Sequence, residues 1–548
     1  MAICPAVAAH AQSEQAAMGQ WAVSDEGWYN QNRSSPFSGP ISNVTPSGLA
    51  SVQTAAAAEA VPDETRSQGA FVSAIAIDGT ESLSQATFAS IVESNIGRNL
   101  VEEDLRQLTQ QIAEMARDRG YIFASATIPE QSLSLGVLQV EFNEGRIDEV
   151  RITGSDNKAL HRLLKSMEGQ RAIQSQIERK LTLANDIPKL WVKKTRYISE
   201  DGRNILLVDV GERKNKARVG LDNYGTGNHG PLRARLSFDF KGLLDSADQA
   251  GVSFRTNPSD PSEFVYANGY YQTAVDDNGT RVGVSGSLGV TEPGNNNFAN
   301  LEGDSVYVSL FASHPLIRSD AASLWINTEL SYLSIEQEDL NLLLSQDKQA
   351  TFSVGLSSNI KMLGGRLRSG MTLVQGLDIL GTTRLGNRAA SRFDGDGIFT
   401  KGQFYTNWRG EFAKNWGLYI GAWGQVANRP LLASQEMNIG GAYSARGFDF
   451  SEISGENGFA AMLEINRKFV KPVSWIDKLQ PYVFVDGGYV DNLRNGVGSG
   501  TLVSGGGGLR ADIGKLNFEV EAAVPLNRDR FESADKSPQL NLQVGLTL

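Results

Sequence analysis

Apolar and polar positions change their spacing twice along this chain. From Phe71 to Ile77, Phe71, Ser73, Ile75 and Ile77 alternate with Val72, Ala74 and Ala76, the spacing of a short strand. A helical stretch over 85–93 follows. A clearer helix then places Leu105, Leu108, Ile112 and Met115 on one face, with Gly120 as its C-cap. Residues 121–126 and 135–142 read as strands, so the order is β-α-α-β-β. The same order returns at once. Residues 150–152 are a strand and 158–167 a helix. Ser175 and Glu178 form a capping-box pair that opens a helix carrying Ile177, Leu181 and Ala184. Strands over 191–198 and 205–210 are joined through Asp201-Gly202, a hairpin turn.

After Asn215 the helical spacing nearly stops. Leu232, Ala234, Leu236, Phe238 and Phe240 alternate with Arg233, Arg235, Ser237 and Asp239. Val306, Val308 and Leu310 alternate with Ser305, Tyr307 and Ser309. Leu324, Ile326, Thr328, Leu330 and Tyr332 alternate with Trp325, Asn327, Glu329 and Ser331, and the final stretch 540–548 alternates to its last residue. Each such strand has one apolar and one polar face. A soluble sandwich turns the polar face outward; a membrane barrel turns the apolar face to lipid and the polar one to a wet lumen. Dividing 216–548 by sixteen leaves about 21 residues per strand and turn, which suits tilted membrane strands of roughly ten residues. Length and the terminal strand favour the barrel.

Composition narrows the function. The 548 residues hold 51 Lys plus Arg against 62 Asp plus Glu, a net charge of -11, which argues against a general nucleic-acid binder. Four histidines and one cysteine, Cys4, exclude a Cys-rich zinc module and a disulfide scaffold. No apolar run reaches 18 residues, which leaves a β-barrel open. Residues 1–11, small and apolar and ending Ala9-His10-Ala11, read as the remnant of a signal peptide. Residues 12–70, rich in Ser, Gln, Asn, Ala, Gly and Pro, read as a linker. No nucleophile–base pair, metal-ligand spacing or Walker loop is present, so neither a catalytic residue nor a metal or cofactor is expected. His10, His161, His229 and His314 lie far apart on different segments. Asp394-Gly395-Asp396-Gly397 resembles part of a calcium loop but lacks the Glu at its twelfth position, and reads as a turn or exposed loop.

Three places carry charge where a barrel would feel it. Gly440, Gly441 and Gly447 surround Arg446 within the stretch ending at Phe448. Composition alone favours a flexible surface loop with a solvated arginine; the alternative is a tight loop that projects Arg446 into the lumen. Over 459–466, Phe459, Ala461, Leu463 and Ile465 face one way and Glu464 and Asn466 the other. Asp486 stands mid-strand in 481–489, where facing lipid would be costly, so it either faces inward and wants a cation or ends a strand before Gly487-Gly488.

With these residues in view, the chain resembles the outer-membrane transporters of two-partner secretion systems, in the Omp85 superfamily. The tandem copies resemble its two POTRA domains, over 71–144 and 145–212, with the barrel over 213–548. Leu221-Asp222-Asn223-Tyr224-Gly225 resembles the entry to the first barrel strand, and His314 to Ser319 a recurrent strand-end segment. Gly440 to Phe448 is similar to the Gly-Gly…Val-Arg-Gly-Tyr/Phe signature of the inward-folding sixth extracellular loop. Phe484-Val485-Asp486-Gly487-Gly488 is similar to the Phe-x-Asp-x-Gly strand signature. The resemblance covers 70–548. It implies a membrane β-barrel of 16 antiparallel strands, preceded by two small β-α-α-β-β POTRA domains. It pairs Arg446 with Asp486, assigns Gly440, Gly441, Gly447, Phe448, Glu464 and Gly488 to the same loop-and-wall site, and puts a pore-plugging helix within 12–70. Departures are Ala445 where Val is usual, Leu548 where Phe is commonest, and a first turn only partly kept as Lys241-Gly242-Leu243-Leu244-Asp245.

The function expected from all this is an outer-membrane translocation pore of a Gram-negative bacterium, working without ATP. Its POTRA domains would take an unfolded, dedicated, TpsA-like exoprotein in the periplasm. Outer-membrane lipid would surround the barrel, and the barrel assembly machinery and periplasmic chaperones would serve its biogenesis. The rivals are an Omp85-type assembly factor, a passive channel and a soluble β-rich enzyme.

Overall fold

The structure is a computed structural model that describes residues 69–548, apart from 134, 226–229, 293–300, 341 and 495–497. The signal remnant, the plug helix, Cys4, His10 and His229 lie outside the described residues. Contacts divide the chain into two units, with the boundary between Arg213 and Lys214.

The first unit holds both small modules. In the first module, Ala74–Asp78 runs parallel to Val137–Asn143, which pairs antiparallel with Ser125–Thr127. The helix Glu102–Asp118 buries Leu108, Ile112 and Ala116 in one core with Val72, Phe88, Leu138 and Val140. The strand expected from Phe71 to Ile77 is split: Ala70–Val72 leaves the sheet and pairs with Arg98–Leu100. The break falls at Ser73, whose N–H, with that of Ala74, bonds the Gly136 carbonyl. In the second module, Glu149–Thr153 runs parallel to Arg203–Glu212, which pairs antiparallel with Leu190–Glu200. Asp201 and Gly202 both take positive φ, 51° and 74°, as a two-residue hairpin turn requires.

Two expectations fail here for one reason. The strand expected at 121–126 is only Ser125–Thr127, and the capping box at Ser175 and Glu178 does not form. Tyr121 instead makes an isolated bridge to Ile173 of the second module, and Ile173 becomes the residue before the helix Gln174–Asp186. Ser175 therefore falls inside the first turn. The modules are further joined by ions. Glu144 accepts from the N–H groups of Glu81 and Leu83 at 3.0 Å each and from the Ser82 hydroxyl at 2.8 Å, while Arg171 Nε lies 3.0 Å away. Phe123 meets Tyr197 edge-on, with centroids 5.9 Å apart.

The second unit is a closed antiparallel barrel. Its strands are β1 Lys216–Asp222, β2 Arg233–Lys241, β3 Asp248–Thr256, β4 Phe264–Ala274, β5 Arg281–Thr291, β6 Leu301–Arg318, β7 Ala322–Asp339 and β8 Leu342–Met362. They continue as β9 Gly365–Leu377, β10 Thr400–Ala413, β11 Trp416–Ala427, β12 Asn457–Arg467 with Phe469–Val473, β13 Ile476–Asp491, β14 Gly500–Ile513, β15 Leu516–Pro525 and β16 Gln539–Thr547. Counting β12 once across its interruption at Lys468 gives 16 strands among the described residues. The ring closes where 218–222 of β1 pairs with 543–547 of β16.

The faces are inverted relative to a soluble sandwich. On β5 the apolar Val282, Val284, Leu288 and Val290 are exposed, while Ser285 and Ser287 are buried. The same holds on β3, with Val252 and Phe254 outside and Ser253 inside. Such faces meet lipid outside and polar partners within. The register of the first hairpins, open from sequence, is set by pairs such as Leu236↔Val219 and Leu236↔Phe254. The turn after β2 is held by Asp248, whose carboxylate accepts from the N–H groups of Leu243, Leu244 and Asp245 at 2.6 to 2.8 Å. Turns at the end where β1 begins and the chain terminates are short. The other end carries the longer connections, loop five (378–399), loop six (428–456) and loop seven (492–499), beside the two-residue turn between β7 and β8.

Candidate functional site

Loop six carries the charge that the sequence singled out. Its two arms, Met437–Ile439 and Ile453–Gly455, pair as a short antiparallel hairpin. Ile439, Ala445 and Phe448 are fully buried, in one cluster with Ala460 of β12, Val490 of β13 and Leu502 of β14. The loop therefore packs against the inside of the wall, and the reading of a flexible surface loop from composition is corrected. Glycine is required where the loop turns: Gly440 has φ 119°, and a Cβ there would stand 2.3 Å from the Asp449 carbonyl oxygen. Gly447 marks a close approach to β15, since a Cβ would meet the Val524 carbonyl carbon at 2.5 Å. Gly441 also takes positive φ. Ala445 has φ 51°, a conformation in which the usual β-branched Val would be more strained than Ala.

Arg446 lies between two strands of the wall. Its Nε is 2.8 Å from Asp486 Oδ2 on β13, and its Nη1 is 2.6 Å from Glu521 Oε2 on β15. The Arg446 backbone N–H donates to Asp486 Oδ1 at 3.3 Å, and Ser504 of β14 donates its hydroxyl to the same oxygen. The guanidinium carbon stands 3.3 Å from the centroid of the Phe484 ring. Arg446 is 5 % exposed and Asp486 3 %, so both charges are desolvated and each depends on the other. Asp486 is thus inside a strand and facing inward, and the reading of a strand-end turn is corrected.

A second layer adjoins the first. Glu464 of β12 does not reach Arg446; it forms a two-pronged pair with Arg510 of β14, at 2.6 and 2.9 Å. Arg510 Nε reaches Glu519 Oε1 at 2.8 Å, and its guanidinium carbon stands 3.8 Å from the Tyr482 ring centroid. The Tyr482 hydroxyl joins the layers, 2.9 Å from Glu519 and 2.8 Å from Glu521. Gly506 and Gly508 are the cross-strand partners of Phe484 and Tyr482. A Cβ on Gly506 would meet Phe484 Cζ at 2.8 Å, and one on Gly508 the Tyr482 hydroxyl at 2.5 Å. The glycines let both rings lie flat on the wall beneath the arginines. Gly488 does the same for loop six: a Cβ there would meet Ile439 Cδ1 at 2.8 Å.

Sequence reasoning singled out Arg446, Asp486, Glu464 and the glycines around them, but not Glu521, Ser504, Arg510 or the wall glycines. The run Ser504 to Gly508 was the available signal. Asp394 to Gly397 is not an exposed loop: Asp396 is buried and pairs with Arg429 at 3.0 Å. His161 bonds the Ser155 carbonyl at 3.1 Å and His314 the Thr280 hydroxyl at 2.8 Å. Among the described residues no group of side chains is arranged to hold a metal ion.

A family model described as haemolysin secretion/activation protein ShlB/FhaC/HecB matches residues 202–511, more than half of the 548-residue chain. The chain belongs to this family. A POTRA domain model of ShlB type matches residues 71–145. The chain is similar to the heme/hemopexin transporter protein HuxB of Haemophilus influenzae strain 86-028NP, 23 % identical over 473 residues that cover 82 % of each chain. It is also similar to the outer membrane transporter CdiB of Escherichia coli O6:K15:H31 strain 536, 24 % identical over 486 residues, 83 % of this chain and 79 % of that one. The solved structure of CdiB from Escherichia coli matches with a TM-score of 0.74 at 22 % identity, covering 90 % of this chain and 93 % of the other, a likeness of fold. The family is one of transporters and secretion pores in the outer membrane, with the POTRA domains in the periplasm. The barrel end that holds the start of β1 and the C-terminus is therefore periplasmic, and loops five, six and seven are extracellular.

Proposed function

We propose that this chain is the outer-membrane pore that secretes a dedicated partner exoprotein, and that the Arg446 lock holds loop six across its path. The observation that carries the reading is a polar lumen occupied by a loop tip whose one arginine is bound by two wall carboxylates, Asp486 and Glu521. An unfolded, TpsA-like partner would meet the modules first. Ala74–Asp78 and Glu149–Thr153 are each the outer strand of a three-stranded sheet, and such an edge accepts an extended peptide by main-chain hydrogen bonds. The partner would then displace loop six and fold outside, where folding biases the motion outward. Outer-membrane lipid surrounds the exposed apolar belt, and periplasmic chaperones and the barrel assembly machinery deliver the barrel to it. Deleting 71–212 tests the reading in cells that co-express the partner. The shortened chain inserts and keeps its heat-dependent gel mobility but secretes nothing; secretion at normal yield would overturn the proposal.

A further inference from the structure

Loop six is gripped at a second place, outside the Arg446 layer. Glu436 directly precedes the first arm of its hairpin and Glu456 directly follows the second, and the Met437↔Gly455 pair sets these two residues at the hairpin's feet. Arg392 of loop five binds both: its Nη1 pairs with the carboxylates of Glu436 and Glu456. Its Nη2 also pairs with Asp394 at 3.2 Å. The grip is desolvated, with Glu456 0 % exposed and the side chains of Glu436 and Arg392 at 5 % and 10 %. Glu456 ties in loop seven as well, accepting the Leu493 N–H at 2.7 Å. Loop five reinforces the hold through its neighbours. The Ala433 N–H donates to the Ser391 hydroxyl at 3.0 Å, and the Asp396 N–H to the Pro430 carbonyl at 3.1 Å.

We propose that Arg392 is a positioning residue for transport, an outer clamp that holds both feet of the loop-six hairpin, so that loop five must yield before the Arg446 tip can leave the lumen. The inference rests on loop six closing the pore. Its physical content is a charge balance. One guanidinium holds two buried carboxylates at the hairpin feet, with Asp394 beside them. Removing it leaves two buried carboxylates without their shared cation, and either keeping both charges or taking up a proton costs more than a lost surface pair. The feet should then separate.

The test is the open fraction of the purified full-length protein in planar lipid bilayers, with heat-dependent gel mobility as the check that the barrel is intact. R392Q is expected to raise the open fraction by about tenfold or more, as removal of a buried partner implies. E436Q added to R392Q removes one of the opposed carboxylates and should bring the open fraction back toward wild type, a reversal that simple disorder would not give. If R392Q does not fold, R392K serves: it keeps the charge without the fork that spans two carboxylates, and a smaller rise is expected. R446Q is measured alongside. An open fraction raised by R446Q but unchanged by the Arg392 variants would overturn the clamp and leave the lock standing. No change in any variant would overturn both. A rise in R392Q that E436Q fails to reverse would also overturn the clamp.

Discussion

Arg446 shows how a single side chain comes to be buried in a wet pore. Its charge is taken out of water, and what repays that cost is geometry: two carboxylates, a backbone bond and a flat ring. Asp486→Asn would leave the buried guanidinium with one of its two wall carboxylates, Glu521. Breaking a buried pair costs about 3–5 kcal/mol, so the locked position should lose population by roughly a hundredfold or more. Protease cleavage of loop six on intact cells should rise accordingly, with gel mobility of the barrel unchanged. Half of this site was legible. Arg446 stood out because glycines isolate it, and Asp486 because an ionised side chain facing lipid is costly, although a strand-end turn fitted its sequence equally well. Glu521 did not, because Glu519-Val520-Glu521 reads as ordinary alternation and only strand order brings β15 beneath loop six. The glycines opposite Phe484 and Tyr482 have no meaning until register is known.

At the scale of elements, the junction between the two modules is the place where pH should act. Burial alone would push the Glu144 carboxyl up, but bonds from the Ser82 and Leu83 N–H groups, the Ser82 hydroxyl and the Glu81 N–H outweigh it and hold it below its ordinary value of 4.5. Glu81 is lowered too, first by its hydrogen bond from Arg171. A carboxyl lowered by folding contributes stability that is present above its unfolded value and is lost as pH falls through the folded one. The junction should therefore hold from neutral pH to about 4.5 and loosen below it. Hydrogen exchange of the 81–83 amides in the full chain would show protection falling on acidification. Glu144→Gln should show the lower protection already at pH 7 and a flatter pH response. The junction also departs from what local spacing predicts. Local spacing places a capping box at Ser175, yet beside the bridge from Tyr121 to Ile173 the helix starts two residues earlier, at Gln174. Tandem modules were visible as a repeated order of elements, whereas the bonds that join them link residues far apart in the chain.

For the whole molecule the decisive fact is which face of each strand meets oil. The alternation after Asn215 gave two equivalent faces, and period alone does not say which is inside; strand number and length tipped the balance, and the exposure of Val284 beside buried Ser285 decides it. A charge on the lipid side should cost about 2–4 kcal/mol at mid-bilayer, and little in the lumen. Val284→Arg should therefore lower folding yield into vesicles and the urea midpoint of the folded barrel, whereas Val284→Leu should leave both nearly unchanged. Equal effects would mean that the faces are assigned the wrong way round.

The seam that closes the ring has its own consequence. Residues 218–222 meet 543–547, the two ends of the barrel's own stretch of chain, and along a far shorter front than that joining β7 to β8. Until β16 is in place, the sheet is a curled ribbon with two raw borders of N–H and C=O groups, and hydrocarbon offers neither a partner. A barrel that lacks β16 has nowhere in the bilayer to hide those borders, so a truncated copy is barred from the membrane by its own open edges.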